Sequence, residues 1–327
     1  MVTRRDLLWL LPSALAVSCR PKPEARPVPP EPSTRLVFGG DVMLSRHVGR
    51  LARMRRDPAY PFRDLAPYTS AADIAFLNLE SPFSDRGARV EKGMIFKAEP
   101  GMVEGLVLAG VDVVSTANNH ARDRRSYGLE YTVSWLERHN IAAVGTGRSE
   151  SAARAGAVLV RNGVRFGFLA YTYDQLNGNY PKTDPRVAML DADAMREDVA
   201  AMARRAGVII VSMHAGTEYV PKPNSQQVRF AHAAIDAGVD LVIGHHPHVV
   251  QPAEIYGHGV IVYSLGNLVF DQFQRKETQQ GRLAEAIFKG NRLERVTLLD
   301  VDIVKTVPRL AGRSQVVFPA VTVPRGA

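Results

Sequence analysis

Short apolar runs recur along this chain, and run after run stops at Asp, Glu, Asn or His. Arg35 to Gly39 leads into Gly40-Asp41, and Ile74 to Leu77 into Asn78-Leu79-Glu80. Val111 to Ser115 is followed by Asn118-Asn119-His120, and Val208 to Ser212 by His214. Val239 to Ile243 leads into Gly244-His245-His246-Pro247-His248, where Gly244 permits a sharp turn. Arg165 to Tyr171 is a further run, and Val260 to Tyr263 ends at Ser264-Leu265-Gly266-Asn267. Such runs predict buried strands. Between them, Gly101 to Ala109, Gly128 to His139, Asp191 to Ala206 and Ser225 to Ala237 carry helical patterns. Strands alternating with helices predict an α/β fold with a largely parallel sheet, in which ligands bind at the carboxyl ends of strands. One polar residue at a strand end is ordinary loop chemistry. Its recurrence over five strands points to a shared site.

Ala286 to Phe288, the turn Lys289-Gly290-Asn291 and Leu293 to Val304 predict a closing hairpin, and the chain from Thr306 reads as a tail. No internal repeat or second domain boundary appears, so residues 35–305 read as one domain. At 46% hydrophobic and 23% charged residues the composition is that of a globular protein. The formal charge of +8 is modest and the basic residues look scattered, which argues against a nucleic-acid partner and leaves room for an anionic polymer or membrane surface.

The first residues read as a targeting segment. Arg4-Arg5 precede the apolar run Leu7 to Val17, too short to span a bilayer. Thr3 to Leu8 is similar to a twin-arginine export signal, and Leu15-Ala16-Val17-Ser18-Cys19 to a lipobox with Cys19 as the acylation site. Cys19 is the only cysteine, so no internal disulfide is expected. The prolines at 21, 23, 27, 29, 30 and 32 predict an extended tether over 20–34. The expectation is a membrane-anchored lipoprotein facing the periplasm or cell surface, with a plain secretory signal as the alternative.

The strand-end residues Asp41, Glu80, Asn119, His120, His214, His246 and His248 combine carboxylate, amide oxygen and imidazole. That donor set suits a divalent metal such as manganese, iron or zinc, and it is large enough for two neighbouring ions, with Glu80 as the bridging acid.

At these residues the chain resembles the bacterial capsule-synthesis CapA family, a branch of the calcineurin-like metallophosphoesterase superfamily. The matching segments are Gly40 to Leu44, Asn78 to Pro82, Ala117 to His120, Met213 to Tyr219, Gly244 to Val249 and Tyr263 to Asp271. The resemblance implies a four-layer α/β/β/α sandwich with a dimetal-type site. It implies Asp41, Glu80, Asn119, His214, His246 and His248 as metal ligands, with His120 stabilising an oxyanion or protonating a leaving group. His245 is left as the spare imidazole. Arg46 and Lys97 are candidates for a substrate anion. Asn78, Asn118, Glu218, Tyr219 and Asn267 are candidates for a supporting or substrate-facing role, and Asp271 for facing the site or capping a turn.

Three positions depart from the family pattern. Met43 stands where many metallophosphoesterases have a second ligand His, Ala215 stands where Trp is usual and suggests a more open pocket wall, and the loop from Asp123 to Gly128 is longer. His47, His139, His232 and His258 match no ligand pattern. Two functions follow as expectations: a metal-dependent hydrolase of phosphoester type, or a non-catalytic accessory that handles an anionic polymer of the poly-gamma-glutamate type. A metal-bound structural domain is the third, plainer possibility.

Overall fold

The computed structural model describes residues 32–86, 89–90, 93–173 and 186–317. Chain order gives β1 (Ser33–Val42), α1 (Arg46–Arg55), α2 (Ala66–Thr69), β2 (Ile74–Leu79), α3 (Val103–Leu108), β3 (Val111–Ser115) and α4 (Arg125–Arg138). Then come β4 (Ala142–Val144), α5 (Glu150–Arg154), β5 (Ala157–Arg161), β6 (Val164–Thr172), α6 (Ala192–Ala203), β7 (Val208–His214) and α7 (Ser225–Asp236). The last elements are β8 (Leu241–His245), β9 (Ala253–Tyr256), β10 (Gly259–Val262), β11 (Asn267–Val269), β12 (Gln280–Lys289), β13 (Arg292–Val304) and β14 (Val307–Val317).

These strands form two sheets. The first runs β14-β13-β12-β1-β2-β3-β4, with β11 also paired to β1, and the second runs β5-β6-β7-β8-β10-β9. Side-chain alternation sorts the core into layers. Leu36 and Phe38 of β1 and Ile74 and Phe76 of β2 meet Phe166, Phe168, Ile210 and Ile243 between the sheets. Val37 and Leu77 face outward onto Val48 and Ala52 of α1, Leu106 of α3 and Leu136 of α4. Ile209 and Val211 of β7 face Met195 and Val199 of α6 and Phe230 and Ala234 of α7. The architecture is therefore the four-layer α/β/β/α sandwich.

Parallel pairing joins β1, β2, β3, β4 and β11 in one sheet and β6, β7, β8 and β10 in the other. Antiparallel strands flank the second sheet on both sides, as β5 and β9, and the first on one side, as β12, β13 and β14, while its other edge, β4, is parallel. β1 begins at Ser33, so the folded part takes in residues expected to belong to the tether. Of the segment expected as a tail from Thr306, Val307–Val317 is instead β14, an edge strand paired along β13, and residues 318–327 lie outside the described residues. Most of it beyond Pro308 is exposed, and polar residues and Gly312 break up its apolar ones, Leu310 and Val316 included, which hides the strand from a search for apolar runs. The residues expected as a leader, Cys19 and most of those expected as a tether lie outside the described residues. Among the described residues, no helix is long and apolar enough to cross a membrane.

Candidate metal centre

The parallel strands bring their carboxyl ends to one edge, and backbone devices push specific side chains into it. β1 slips its register against β2 between Phe38 and Asp41. Gly40 makes this possible, because a Cβ there would stand 2.0 Å from the carbonyl oxygen of Gly266. Gly244 serves in the same way rather than as the expected turn, since it lies inside β8 and its Cβ would stand 1.9 Å from the carbonyl oxygen of Tyr263. The turn falls on the imidazoles themselves: His246 has φ 97° and His248 φ 58°. Holding non-glycine residues there costs on the order of 1–3 kcal/mol each, which the surrounding fold must offset.

Asp41, Glu80 and His248, all buried, offer donor atoms that lie within 4.8 Å of one another. His248 Nδ1 is 3.3 Å from Asp41 Oδ2 and Nε2 is 3.6 Å from Glu80 Oε1. The Asn267 Oδ1 also stands 3.0 Å from His248 Nδ1 and fixes the ring. Asn78 Nδ2 donates to Asp41 Oδ1 at 2.8 Å and lies 3.2 Å from His214 Nδ1. The backbone N–H of His246 donates to Asp41 Oδ2 at 3.2 Å. Beside this group, His214 Nε2 is 2.9 Å from Asn119 Oδ1, and the His214 and His246 rings are 4.9 Å apart. Tyr173 packs against His246 at 4.5 Å between ring centres.

The fit to a cation is visible in what these groups lack. Both oxygens of Glu80 and Nδ1 of His246 are buried with no hydrogen-bond partner. Buried polar atoms are normally satisfied, so such a cluster calls for a missing ligand. Burial, with Asp41 nearby, pushes the Glu80 carboxyl well above the usual carboxylate range, although His248 works against it. Burial opposes ionisation of Asp41 too, but the His245 and His248 imidazoles beside it hold its carboxyl well below that range. Burial would keep His248 neutral, yet the Glu80 and Asp41 carboxylates push it up to about 9. His246 is held down to about 3 by burial and by the charge of His248, and His214 well below its ordinary value by burial and by His246. Neutral imidazoles of this kind are ready to ligate. The donor set suits a divalent metal.

His120 stands over this group, with Nε2 3.9 Å from Glu80 Oε1. Its Nδ1 is 2.7 Å from Asp123 Oδ2, and its ring stacks on Phe96 at 4.0 Å. Asn118 accepts from the backbone N–H of His120 at 3.2 Å and donates to the carbonyl of Leu79 at 2.8 Å. Asp123 also accepts from the Phe96 N–H at 2.6 Å. Burial pushes the Asp123 carboxyl up, with the His120 hydrogen bond acting the other way. A cavity of about 90 Å³ opens onto this ring, lined by Phe96, Glu218, Tyr219, His248, Phe270 and Gln272 among others. Arg46 lies over the Phe96 and Phe270 rings, at 5.0 and 5.8 Å, and forks onto the carboxylate of Asp271.

Several expectations change. His245 is fully buried with both nitrogens unpartnered, and Nδ1 sits 3.6 Å from Asp41 Oδ1, so it belongs to the cluster rather than being spare. Met43 packs in the apolar core under α1, and Ala215 is buried in the core behind the second sheet, so neither shapes the cavity wall. Lys97 is tied to Glu99 at 3.0 Å. His47, His139 and His232 pack against Phe273, Trp135 and Tyr256, away from the centre. The sequence reading missed the role of Asp123 as the partner of His120, though the spacing of three residues was a usable signal. It also missed Tyr173, for which no local signal exists.

This sandwich, with an acid and imidazole cluster at its strand ends, has the architecture of the calcineurin-like metallophosphoesterases. A crystal structure of a phosphatase from Mycoplasma pneumoniae superposes with a TM-score of 0.52 at 13% identity, over 88% of this chain and 93% of that one. A hypothetical protein from Thermus thermophilus does so at 0.53 and 17%, over 82% and 99%. Both show the fold alone. Residues 35–272 match the model for the bacterial capsule synthesis protein PGA_cap, and the chain belongs to that family. It is 31% identical over 275 residues to the PGA biosynthesis protein CapA of Bacillus subtilis, covering 83% of this chain and 72% of that one. It is 32% identical over 242 residues to the capsule biosynthesis protein CapA of Bacillus anthracis, covering 71% of this chain and 59% of that relative.

Proposed function

We propose that this chain is an exported, lipid-anchored, metal-dependent hydrolase of phosphoester type that acts on an anionic capsule polymer or its attachment. The observation that carries the reading is His120. Its Nε2 points at the acid cluster beside an open cavity, and Asp123 holds its other nitrogen. A domain that only binds polymer has no use for an oriented imidazole at that place. The twin-arginine and lipobox similarities of the first residues support export and anchoring through Cys19.

Asp41, Glu80 and His248 would hold one divalent ion, with Asn119, His214 and His246 providing for a second and Glu80 shared. Such ions supply Lewis acidity for a phosphoryl oxygen. Asn78 and Asn267 orient Asp41 and His248. Asp123 fixes His120 so that a proton carried on Nε2 can pass to a leaving oxygen. Glu218 and Tyr219 line the entry, and Arg46, already paired with Asp271, borders it.

The test is His120→Ala. Metal content should stay near wild type, because His120 is cast as a proton donor. Turnover of phosphomonoester and phosphodiester probes should fall by roughly 10²–10⁴-fold. Wild-type protein loaded with manganese, iron or zinc that turns over neither probe would refute the hydrolase reading. The second reading is a non-catalytic accessory, and Met43 favours it: that side chain leaves the ligand set one nitrogen short. An accessory predicts that the His120→Ala protein fully complements a deletion strain.

A further inference from the structure

A chain of side-chain amides joins the metal centre to the cavity wall, and one backbone carbonyl fixes its direction. β11 pairs with β1 so that Asn267 lies opposite Asp41. Asn267 Nδ2 donates to the carbonyl of Thr278 at 2.9 Å, a partner that can only accept. The same Nδ2 donates to Gln272 Oε1 at 3.0 Å, and Oδ1 is the atom turned to His248 Nδ1. With its oxygen used in this way, Gln272 presents its amide nitrogen to Tyr219, and Nε2 donates to the Tyr219 hydroxyl oxygen at 3.2 Å. Two proton positions follow. His248 carries a proton on Nδ1, shared between Asn267 and Asp41 Oδ2 at 3.3 Å, which leaves Nε2 for a metal. The Tyr219 oxygen already accepts from Gln272, so its own proton must point away from that side chain.

Tyr219 lines the cavity together with His120, His248, Glu218 and Gln272. Burial, and then the Glu218 carboxylate, push its hydroxyl up to about 12, so it keeps its proton at neutral pH. In the free protein Glu218 stands near enough to take that hydrogen bond. The backbone here is strained and braced. Tyr219 has φ 65°, in the left-handed region that bulky residues rarely occupy, and its N–H donates to the carbonyl of Pro247 at 2.8 Å. Gln251 Nε2 donates to the carbonyls of Val220 and Lys222, and Gln227 Nε2 donates to Gln251 Oε1 in turn. Strain held in this way at a cavity wall points to a side chain aimed at a ligand.

We infer that the Tyr219 hydroxyl is a hydrogen-bond donor to a non-bridging oxygen of the bound phosphoester, and that Gln272 and Asn267 are positioning residues that set its direction. The inference deepens the proposed function and rests on it for the identity of the bound group. A phenol hydroxyl can accept as readily as donate. The relay removes that choice before a ligand arrives, which is the preorganisation that a site for anionic oxygen requires. Because the relay starts on His248, it also ties the direction of Tyr219 to the nitrogen left for the metal.

The experiment titrates inorganic phosphate into manganese-loaded protein by calorimetry, with manganese affinity and thermal unfolding measured on every variant. Tyr219→Phe should weaken phosphate binding by about tenfold, the loss of one hydrogen bond to a charged acceptor, and leave manganese affinity within about twofold. Gln272→Glu keeps the size of the side chain and still accepts from Asn267, but it offers Tyr219 an acceptor in place of a donor. The Tyr219 proton then turns to it, and phosphate should weaken by about 30-fold or more. Part of that loss is the added negative charge, which acts with or without the hydroxyl. In the Tyr219→Phe background the same change should therefore cost only about threefold, a non-additivity that simple packing does not produce. Equal losses from Gln272→Glu in both backgrounds would overturn the inference. So would wild-type protein that binds no phosphate, or Tyr219→Phe protein that binds it as tightly as wild type. Gln272→Leu, which only frees the hydroxyl to rotate, should cost less than Gln272→Glu, and it serves in its place if the charged variant fails to fold: its loss should then vanish in the Tyr219→Phe background. A protein that shows these losses but turns over neither ester probe keeps the donor and loses the hydrolase reading. Turnover without any effect of Tyr219→Phe on phosphate does the reverse.

Discussion

Replacing Glu80 with Gln should have opposite effects on the metal-free and metal-loaded protein. In the metal-free state the Glu80 carboxyl is fully buried, and neither oxygen is hydrogen-bonded. Burial raises its pKa well above the usual value. A group whose folded pKa is raised contributes its stability below the unfolded pKa and loses it as pH rises through the folded pKa. Near neutral pH the native carboxylate is therefore a liability, eased in part by His248 3.6 Å away. A neutral amide of the same shape removes the charge but keeps unmet polar atoms, so the gain is only part of a buried-group penalty, on the order of 1–2 kcal/mol. For a domain of this size that corresponds to a rise in Tm of about 2–6 °C in chelator. With metal the sign reverses. Wild type at a free metal concentration of 100 times Kd gains about 2.7 kcal/mol, and Glu80→Gln forfeits most of it with the ligand. Calorimetry with and without chelator reads both signs. The advantage in chelator should shrink as pH falls below about 4, where Glu80 is protonated folded and unfolded alike. A variant destabilised in chelator, or stabilised by metal as much as wild type, would refute the account.

Three further outcomes follow. His245→Leu should lower metal affinity by about 10-fold, at the low end for loss of a group that orients a ligand, because it removes the imidazole beside Asp41; it should also lower metal-free stability near neutral pH, since that imidazole helps keep the buried Asp41 carboxylate ionised. Metal titration followed by mass spectrometry checks this, and an unchanged affinity counts against it. Gly40→Ala should cost about 3 kcal/mol or more in urea unfolding, as its Cβ meets the Gly266 carbonyl at 2.0 Å; a loss under about 1 kcal/mol would mean that the β1 bulge relaxes freely. Cys19→Ala should abolish labelling by radioactive palmitate and release the protein from membranes, whereas a variant that stays bound would end the lipoprotein reading.

Much of the centre is legible in the chain because it is encoded locally. An apolar run followed by Asp, Asn or His marks a strand end, and parallel strands must expose those ends along one edge. That is enough to single out Asp41, Glu80, Asn119, His120, His214, His246 and His248 as candidates, and the alternation of strands and helices is enough for the fold class. What the run-by-run pattern does not carry is pairing. β14 was invisible because an exposed edge strand has no apolar run, and its partner β13 alone makes it a strand. The positive φ of His246 and His248 is imposed by the neighbouring strands and Asp41, not by residue preference. His245 looks redundant beside two ligand imidazoles, until the β7–β8 register sets it opposite His214 and against Asp41. The sequence by itself determined which side chains are chemically able to act. Tertiary structure decided which of them meet, because donors tens to hundreds of residues apart are brought within a few ångströms only by the packing of two sheets.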